Sequence, residues 1–175
     1  MSAHTLHPFF EFLYATGCRL GAAQSITWRM IDTDCNQITI PVANVKNKQP
    51  LIVMLAGPQL ETVKAVLQIM VRDESRPVFD FANYRKEWSK AVAKAKLGTW
   101  DAETQTRTGV RMHDCRVSAA INLLDSGVDE RLVLKIGGWK TREMMDRYNV
   151  SNPKRLKAAI ERAGKFVKKR QAAKR

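Results

Sequence analysis

Long apolar runs are missing from this chain, and with them the simplest route into a membrane. No stretch approaches the roughly 18 apolar residues of a spanning helix, and no charged-then-apolar leader opens the sequence, so neither a span nor a secretory signal is expected. Cysteine is scarce too. The three present, Cys18, Cys35 and Cys115, are odd in number and lack CxxC spacing, which argues against a disulfide framework and a zinc site. Reduced, mostly buried thiols are the expectation. Acids are outnumbered, 17 against 30 lysines and arginines, and the scattered Asp32, Asp34 and Asp114 form no metal-ligand pattern. No metal and no cofactor is expected. Of three histidines only His113 lies beyond the N-terminal helical region, and no internal repeat appears.

What is present is a folded domain with a strong charge bias. At 175 residues and 45% apolar content the chain is long enough for one domain with its own core. The net charge of +13 calls for a polyanionic partner, nucleic acid or an anionic membrane surface, and charge alone does not choose between them. An intracellular, cytoplasmic protein is expected.

Periodicity gives a mainly helical chain with one small antiparallel β-sheet. Residues 6–15 carry apolar side chains at helical spacing and stop at Thr16-Gly17. The turn Thr16-Gly17-Cys18-Arg19-Leu20-Gly21 then places Arg19 at the head of a short helix running toward Trp28. Gln37 to Val42 alternates as a strand does, Leu51 to Leu55 is a compact apolar run, and the polar link Asn44–Gln49 reads as a hairpin connection. An amphipathic helix is predicted from Pro58 to about Arg72, followed by a charged loop to Pro77. Asn83 is placed as the cap of a helix through Lys96, closed by Gly98, whose lysines read first as a solvated face and second as a DNA-facing stripe. Thr99 to Gly109 has no period and reads as a loop. A helix then runs from His113 to Leu124, Asp129 caps another that Gly137-Gly138 breaks, and Thr141 is placed as the cap of a short helix bearing Met144, Met145 and Tyr148.

The final 25 residues hold ten lysines and arginines against the single acid Glu161, so +9 of the total charge sits there. Leu156, Ile160, Ala163 and Val167 nevertheless fall on one helical side, which asks for an apolar surface to dock on. Gly164 is expected to interrupt a long helix.

Chemistry concentrates between Met112 and Tyr148. His113 and Arg116, three residues apart on a helix, share a face and suit a phosphate: arginine offers a planar fork of donors and histidine exchanges a proton near neutral pH. Tyr148 adds a nucleophile. Its rivals Tyr14 and Tyr84 lie on apolar helix faces.

Taken in order, Arg19, a lysine of the β-hairpin, His113-x-x-Arg116, Trp139 and Tyr148 resemble the catalytic domain of the tyrosine recombinases, the phage-integrase family. The resemblance covers nearly the whole chain, including Trp28-Arg29-Met30-Ile31-Asp32 and the block from Gly127-Val128-Asp129 to Gly137-Gly138-Trp139. It implies the tyrosine recombinase catalytic-domain fold and site-specific breaking and rejoining of duplex DNA through a covalent 3′-phosphotyrosine at Tyr148, with a free 5′-hydroxyl. By family position Arg19 and Arg116 hold the non-bridging oxygens, which would make the step metal-independent. His113 assists proton transfer, and Lys46, with Lys48 as fallback, protonates the leaving oxygen. Trp139 stands where the family more often has histidine; it reads equally as an N–H donor to phosphate and as a core aromatic. Ala22 and Val117 occupy positions where an acid and a histidine are common.

The resemblance also implies a homotetramer on DNA that is monomeric without it, with no membrane partner. Residues 1–150 are expected to form the catalytic domain and 151–175 a basic helix or tail that docks on its own domain or on a neighbouring protomer. The helical core-binding domain usual in the family is expected to be absent, as in an excised fragment or a short member. Two other readings share these residues: a non-catalytic DNA-binding module of the same fold, and a type IB topoisomerase.

Overall fold

A computed structural model describes residues 6–45, 49–57, 61, 64, 65, 73–79, 81–104, 106–139, 141, 143 and 153–172. The chain opens on α1 (Leu6–Thr16), which buries Leu6, Phe9, Phe12 and Leu13. These positions recur every three or four residues, so one helical stripe faces the core. Phe9 and Phe12 are fully buried and pack on Phe79, with ring centroids 5.6 and 5.2 Å apart. Burying each such ring stabilises the fold by about 1.5–3 kcal/mol relative to exposure. On the neighbouring face Phe10 meets Trp88 edge-on at 5.1 Å.

The end of α1 is fixed locally. Thr16 Oγ1 donates to Phe12 O at 2.6 Å and accepts from Cys18 N at 3.1 Å, while Gly17 takes the left-handed conformation (φ +63°) that stops the helix. A short α2 (Leu20–Gln24) follows and buries Ala22 and Ala23.

The sheet has three antiparallel strands in the order β1 (Ile31–Asp32), β2 (Gln37–Ile40), β3 (Leu51–Met54). The central register pairs Ile38 with Val53 and Ile40 with Leu51. These four side chains face the core, whereas Thr39, Ile52 and Met54 point outward, as the twofold alternation of strands requires. The β1 strand adds to the expected hairpin because Asp32 Oδ1 accepts the N–H groups of Asp34 and Cys35 at 3.0 and 2.9 Å and so folds a tight turn into β2. Of the helix predicted over 58–72, only Glu61, Lys64 and Ala65 are described, and they are helical; the rest lies outside the described residues. The charged loop is stitched back to the start of the sheet by Val78 N to Ile26 O at 2.9 Å.

Beyond it come α3 (Tyr84–Lys94), the two-residue strands β4 (Trp100–Asp101) and β5 (Thr106–Arg107), α4 (Met112–Asp125), α5 (Glu130–Gly137) and α6 (Pro153–Ala172). Helix α4 is central, packing against both α1 and α5, and α5 in turn reaches β3. Asp129 caps α5 as expected, accepting Arg131 N at 2.9 Å, and Gly138 ends it in the left-handed region (φ +63°).

Three local expectations are corrected. Thr99 to Gly109 contains a small antiparallel hairpin rather than a plain loop, with Trp100 paired to Arg107 and Asp101 to Thr106. Asn83 precedes α3 in the left-handed conformation and makes no side-chain cap bond; it contributes its backbone geometry instead. Helix α6 runs unbroken through Gly164, since a cost near 1 kcal/mol is small beside a 20-residue helix. Its apolar side is bare: Leu156, Ile160 and Val167 are 68%, 66% and 51% exposed. The helix does touch the domain, where the Arg162 guanidinium lies against Gly127 in the turn between α4 and α5.

Candidate active site

Two helix ends meet a buried arginine at the centre of the site. Arg116, on the first turns of α4, is 4% exposed, and its Nη1 donates both to Gly17 O and, at 2.6 Å, to Gly137 O. Gly17 follows the last turn of α1 and Gly137 is the last residue of α5. Helix C-termini carry unsatisfied carbonyls and a partial negative charge, so two of them compensate part of the charge of a guanidinium placed between them. Its guanidinium carbon lies over the Trp139 ring, 4.0 Å from the ring centroid. Trp139 is buried with Ala120 and Val133 in a small core cluster of its own, and its backbone N–H donates to Leu134 O at 2.9 Å.

Glycine at 137 is a steric requirement of this stack. A Cβ there would stand 1.5 Å from Trp139 Cζ3, and one at Gly17 would stand 3.0 Å from the Ala119 side chain and 3.3 Å from Trp139 Cη2.

Arg19 comes to the same turn from the other side. It precedes α2 in extended backbone (φ −66°, ψ 140°), and its half-buried side chain donates from Nη1 to Gly138 O at 3.0 Å. Both arginines are thus tied to consecutive carbonyls, Gly137 and Gly138. Ala22, one turn on, is buried in the core and offers Arg19 no polar contact. From Arg19 an open groove of about 640 Å³ runs between β3 and α5, with Leu51, Ile52 and Leu132 among its apolar lining and Arg131 and Lys135 adding positive charge.

The other expected site residues divide. His113 is exposed, one helical turn before the buried Arg116, so α4 carries both on neighbouring turns but presents only the histidine to solvent. Lys46 and Lys48 lie outside the described residues, although Val45 and Gln49 on either side of them both line the groove. Tyr148 also lies outside them, as do Met144 and Met145. Trp139 is buried and stands in contact with Arg116.

The thiols near the arginines, Cys18 and Cys115, are buried. Burial pushes Cys18 up to about 12 against the opposing pull of Arg116 and Arg19, and burial also raises Cys115, helped by the adjacent Asp114. Two of the three thiols are buried, in keeping with the mostly buried set expected, and Cys35 is exposed. Asp114 works as a helix-start carboxylate, its Oδ2 accepting Arg111 N at 2.8 Å, and among the described residues no group of three or more His, Cys, Asp or Glu gathers. No described helix is long and apolar enough to cross a membrane.

Sequence reasoning missed the partners of the arginines, the carbonyls of Gly17, Gly137 and Gly138. The glycines themselves were the available signal, since each marks a place where backbone comes close to something. It also missed Arg131 and Lys135, which stand four residues apart on α5 and so share its groove-facing side.

Residues 2–155 match the model of the phage integrase family. The chain belongs to the phage integrase family. It is 26% identical over 156 residues to the integrase of Salmonella phage P22, a match covering 83% of this chain and 39% of that protein, so it spans well under half the length of that relative. Its fold is similar to XerA recombinase (TM-score 0.62, 18% identity, 93% of this chain and 64% of that one). It is also similar to the catalytic domain of bacteriophage HP1 integrase (TM-score 0.59, 21% identity, 88% and 79%). A third similar structure is XerH site-specific recombinase bound to a palindromic difH substrate in a post-cleavage complex (TM-score 0.61, 20% identity, 91% and 47%). The fold is therefore that of a tyrosine recombinase catalytic domain, mainly helical with a small antiparallel sheet.

Proposed function

We propose that this chain is the catalytic domain of a site-specific recombinase that breaks and rejoins duplex DNA through a covalent 3′-phosphotyrosine at Tyr148. The observation that carries the reading is the arrival of Arg19, Arg116 and Trp139 at one turn, Gly137-Gly138, beside a basic groove. Family membership and the DNA bound to XerH support it.

In this reading Arg19, half-buried at the groove's edge, offers its remaining donors to a phosphate oxygen, while Arg116 supplies fixed positive charge close behind. Charge held in place by helix ends needs no reorganisation as the phosphorane forms, which is how a protein supplies metal-like stabilisation from side chains. His113, exposed on the next turn of α4, assists proton transfer at the tyrosine or donates to the phosphate. Lys46, from the loop whose flanks line the groove, protonates the leaving 5′-oxygen, with Lys48 as the alternative. Trp139 completes the set beside Arg116. The net charge of +13 supplies the salt-dependent grip on the duplex.

Assembly belongs to the same proposal. Helix α6 keeps Leu156, Ile160 and Phe166 exposed on its own domain, which favours docking on a neighbouring protomer of a DNA-bound homotetramer, with a monomer in the absence of DNA. The protein acts in the cytoplasm, on DNA.

A nicked half-site suicide substrate tests the reading. Wild-type protein is expected to become covalently trapped on it, and Tyr148→Phe to bind the same DNA without trapping, because only the nucleophilic oxygen is removed. Equal trapping by the variant overturns the assignment of the nucleophile, and no trapping by the wild type overturns the recombinase reading in favour of a non-catalytic DNA-binding module. Relaxation of a two-site plasmid without exchange of partners would instead mark a type IB topoisomerase.

A further inference from the structure

Among the described site residues, Trp139 is the one whose ring meets a buried arginine. The Arg116 guanidinium carbon sits over its ring, 4.0 Å from the ring centroid, and both residues are nearly closed to solvent, 6% and 4% exposed. The chain around it is shaped to let the ring in. Gly137 is bare where any Cβ would overlap the indole, and Gly17 is bare where a Cβ would crowd its far edge. Gly138 turns the backbone back through the left-handed region so that residue 139 faces α4, and Leu134 O holds the residue 139 amide.

We propose that Trp139 is a positioning residue that acts through its ring face, fixing the plane of the Arg116 guanidinium, and not through its indole N–H. The inference rests on the recombinase reading, in which Arg116 supplies charge at the scissile phosphate. A guanidinium has its donors in one plane and none on its faces. An aromatic face laid on that plane removes water from one side, attracts the cation through the ring quadrupole, and leaves the edge donors free to be directed at oxygens. Two of those oxygens, Gly17 O and Gly137 O, already fix the orientation about the third axis. Face and edge constraints together leave the arginine one orientation, the preorganisation that charge stabilisation in a transition state demands. A histidine at 139 would keep a ring N–H but offer a smaller and more polar face.

The two roles order two substitutions oppositely. Covalent capture of a half-site is measured for wild type, Trp139→Phe and Trp139→His, separating the rate at saturating DNA from the DNA concentration giving half that rate. Action through the face predicts that Trp139→Phe stays within about tenfold of wild type in rate, that Trp139→His is slower than Trp139→Phe, and that half-saturation moves less than the rate. Action through the N–H predicts that Trp139→His outperforms Trp139→Phe, which overturns the proposal. Variants that lose thermal stability while their folded fraction keeps the wild-type rate also overturn it, since the ring would then be core and nothing more.

A measurement on the wild type covers the case in which the variants fail to fold. The Arg116 Nε–H resonance, assigned by its loss in Arg116→Lys, is expected to carry an aromatic ring-current displacement in the free protein and to keep it on half-site DNA. Absence of the displacement in the free protein, or its collapse on DNA, overturns the inference. A wild type that shows the displacement but traps no DNA counts against the recombinase reading alone.

Discussion

Replacing Gly137 by alanine should destabilise the protein, although alanine is the better helix former. Gly137 is the last residue of α5, and by propensity alone the change is worth roughly 1 kcal/mol in favour of the variant. Against it stands the Trp139 ring, three of whose atoms would lie 1.5, 2.1 and 2.3 Å from the new Cβ. The ring has to leave its place. Overpacking of this kind costs about 1–3 kcal/mol, and separating the indole from Arg116 adds about 0.5–2 kcal/mol. The net expectation is a loss of about 0.5–4 kcal/mol, read as a fall in the urea midpoint at unchanged slope. The sign reverses when the ring is gone: in a Trp139→Ala background the same Gly137→Ala change should be neutral or stabilising by up to about 1 kcal/mol. Equal costs in the two backgrounds, or no cost in the wild type, would refute the claim that this glycine exists to admit the tryptophan.

Four further outcomes are expected. Cleavage of a half-site should survive EDTA, because fixed arginines supply the charge; loss on chelation with recovery on added magnesium would contradict the proposed mechanism. Lys46→Ala should be impaired on an ordinary substrate and rescued by a 5′-sulfur leaving group, which needs little protonation; rescue confined to Lys48→Ala would move the general acid two residues. Iodoacetamide should label exposed Cys35 in the native protein and reach buried Cys18 only on unfolding, and because burial raises Cys18 from 9.0 to about 12, its contribution to stability is full below pH 9 and lost as pH rises toward 12. Deleting residues 152–175 should leave a folded domain that still cleaves a concentrated half-site and loses cooperative assembly on a full site; unchanged assembly would remove α6 from the interface.

Where the sequence pattern was regular, it led to the structure. The stripe of Leu6, Phe9, Phe12 and Leu13, the alternation through Ile38 and Ile40, and the Asp129 cap with its Gly138 stop each rest on interactions within a few residues, which local pattern reports well. The β4–β5 hairpin was hidden because strands of two residues are too short to show a period. Asn83 was misread because an asparagine before a helix suits two geometries, a side-chain cap and a left-handed turn, and only the surrounding fold selects between them. Gly164 was weighed by its intrinsic cost, which 19 other residues of α6 outvote.

The sequence places the candidate residues in order along the chain but not their depths in the fold. The spacing of His113 and Arg116 says that they share a helix face, and it cannot say that the core surface of α4 passes between them, burying one and exposing the other. That boundary is set by α1, about a hundred residues earlier, and by α5, the next helix, whose C-terminal ends close over Arg116. An arginine that looks, in sequence, like a donor waiting for phosphate has in the fold already spent one nitrogen on two backbone carbonyls. The consequence is mechanical: Arg116 ties the end of α1, from which Arg19 springs two residues later, to the end of α5, from which the chain continues toward Tyr148. A neutral substitution at 116 therefore removes charge from the proposed phosphate site and also unties the end of α1, beside Arg19, from the end of α5. Arg116→Lys keeps the charge but has no planar fork to lay under Trp139, so the tie and the stack fail while the formal charge stays. Loss of activity in that variant, with net charge and DNA salt dependence unchanged, is what separates a positioned arginine from a merely positive one.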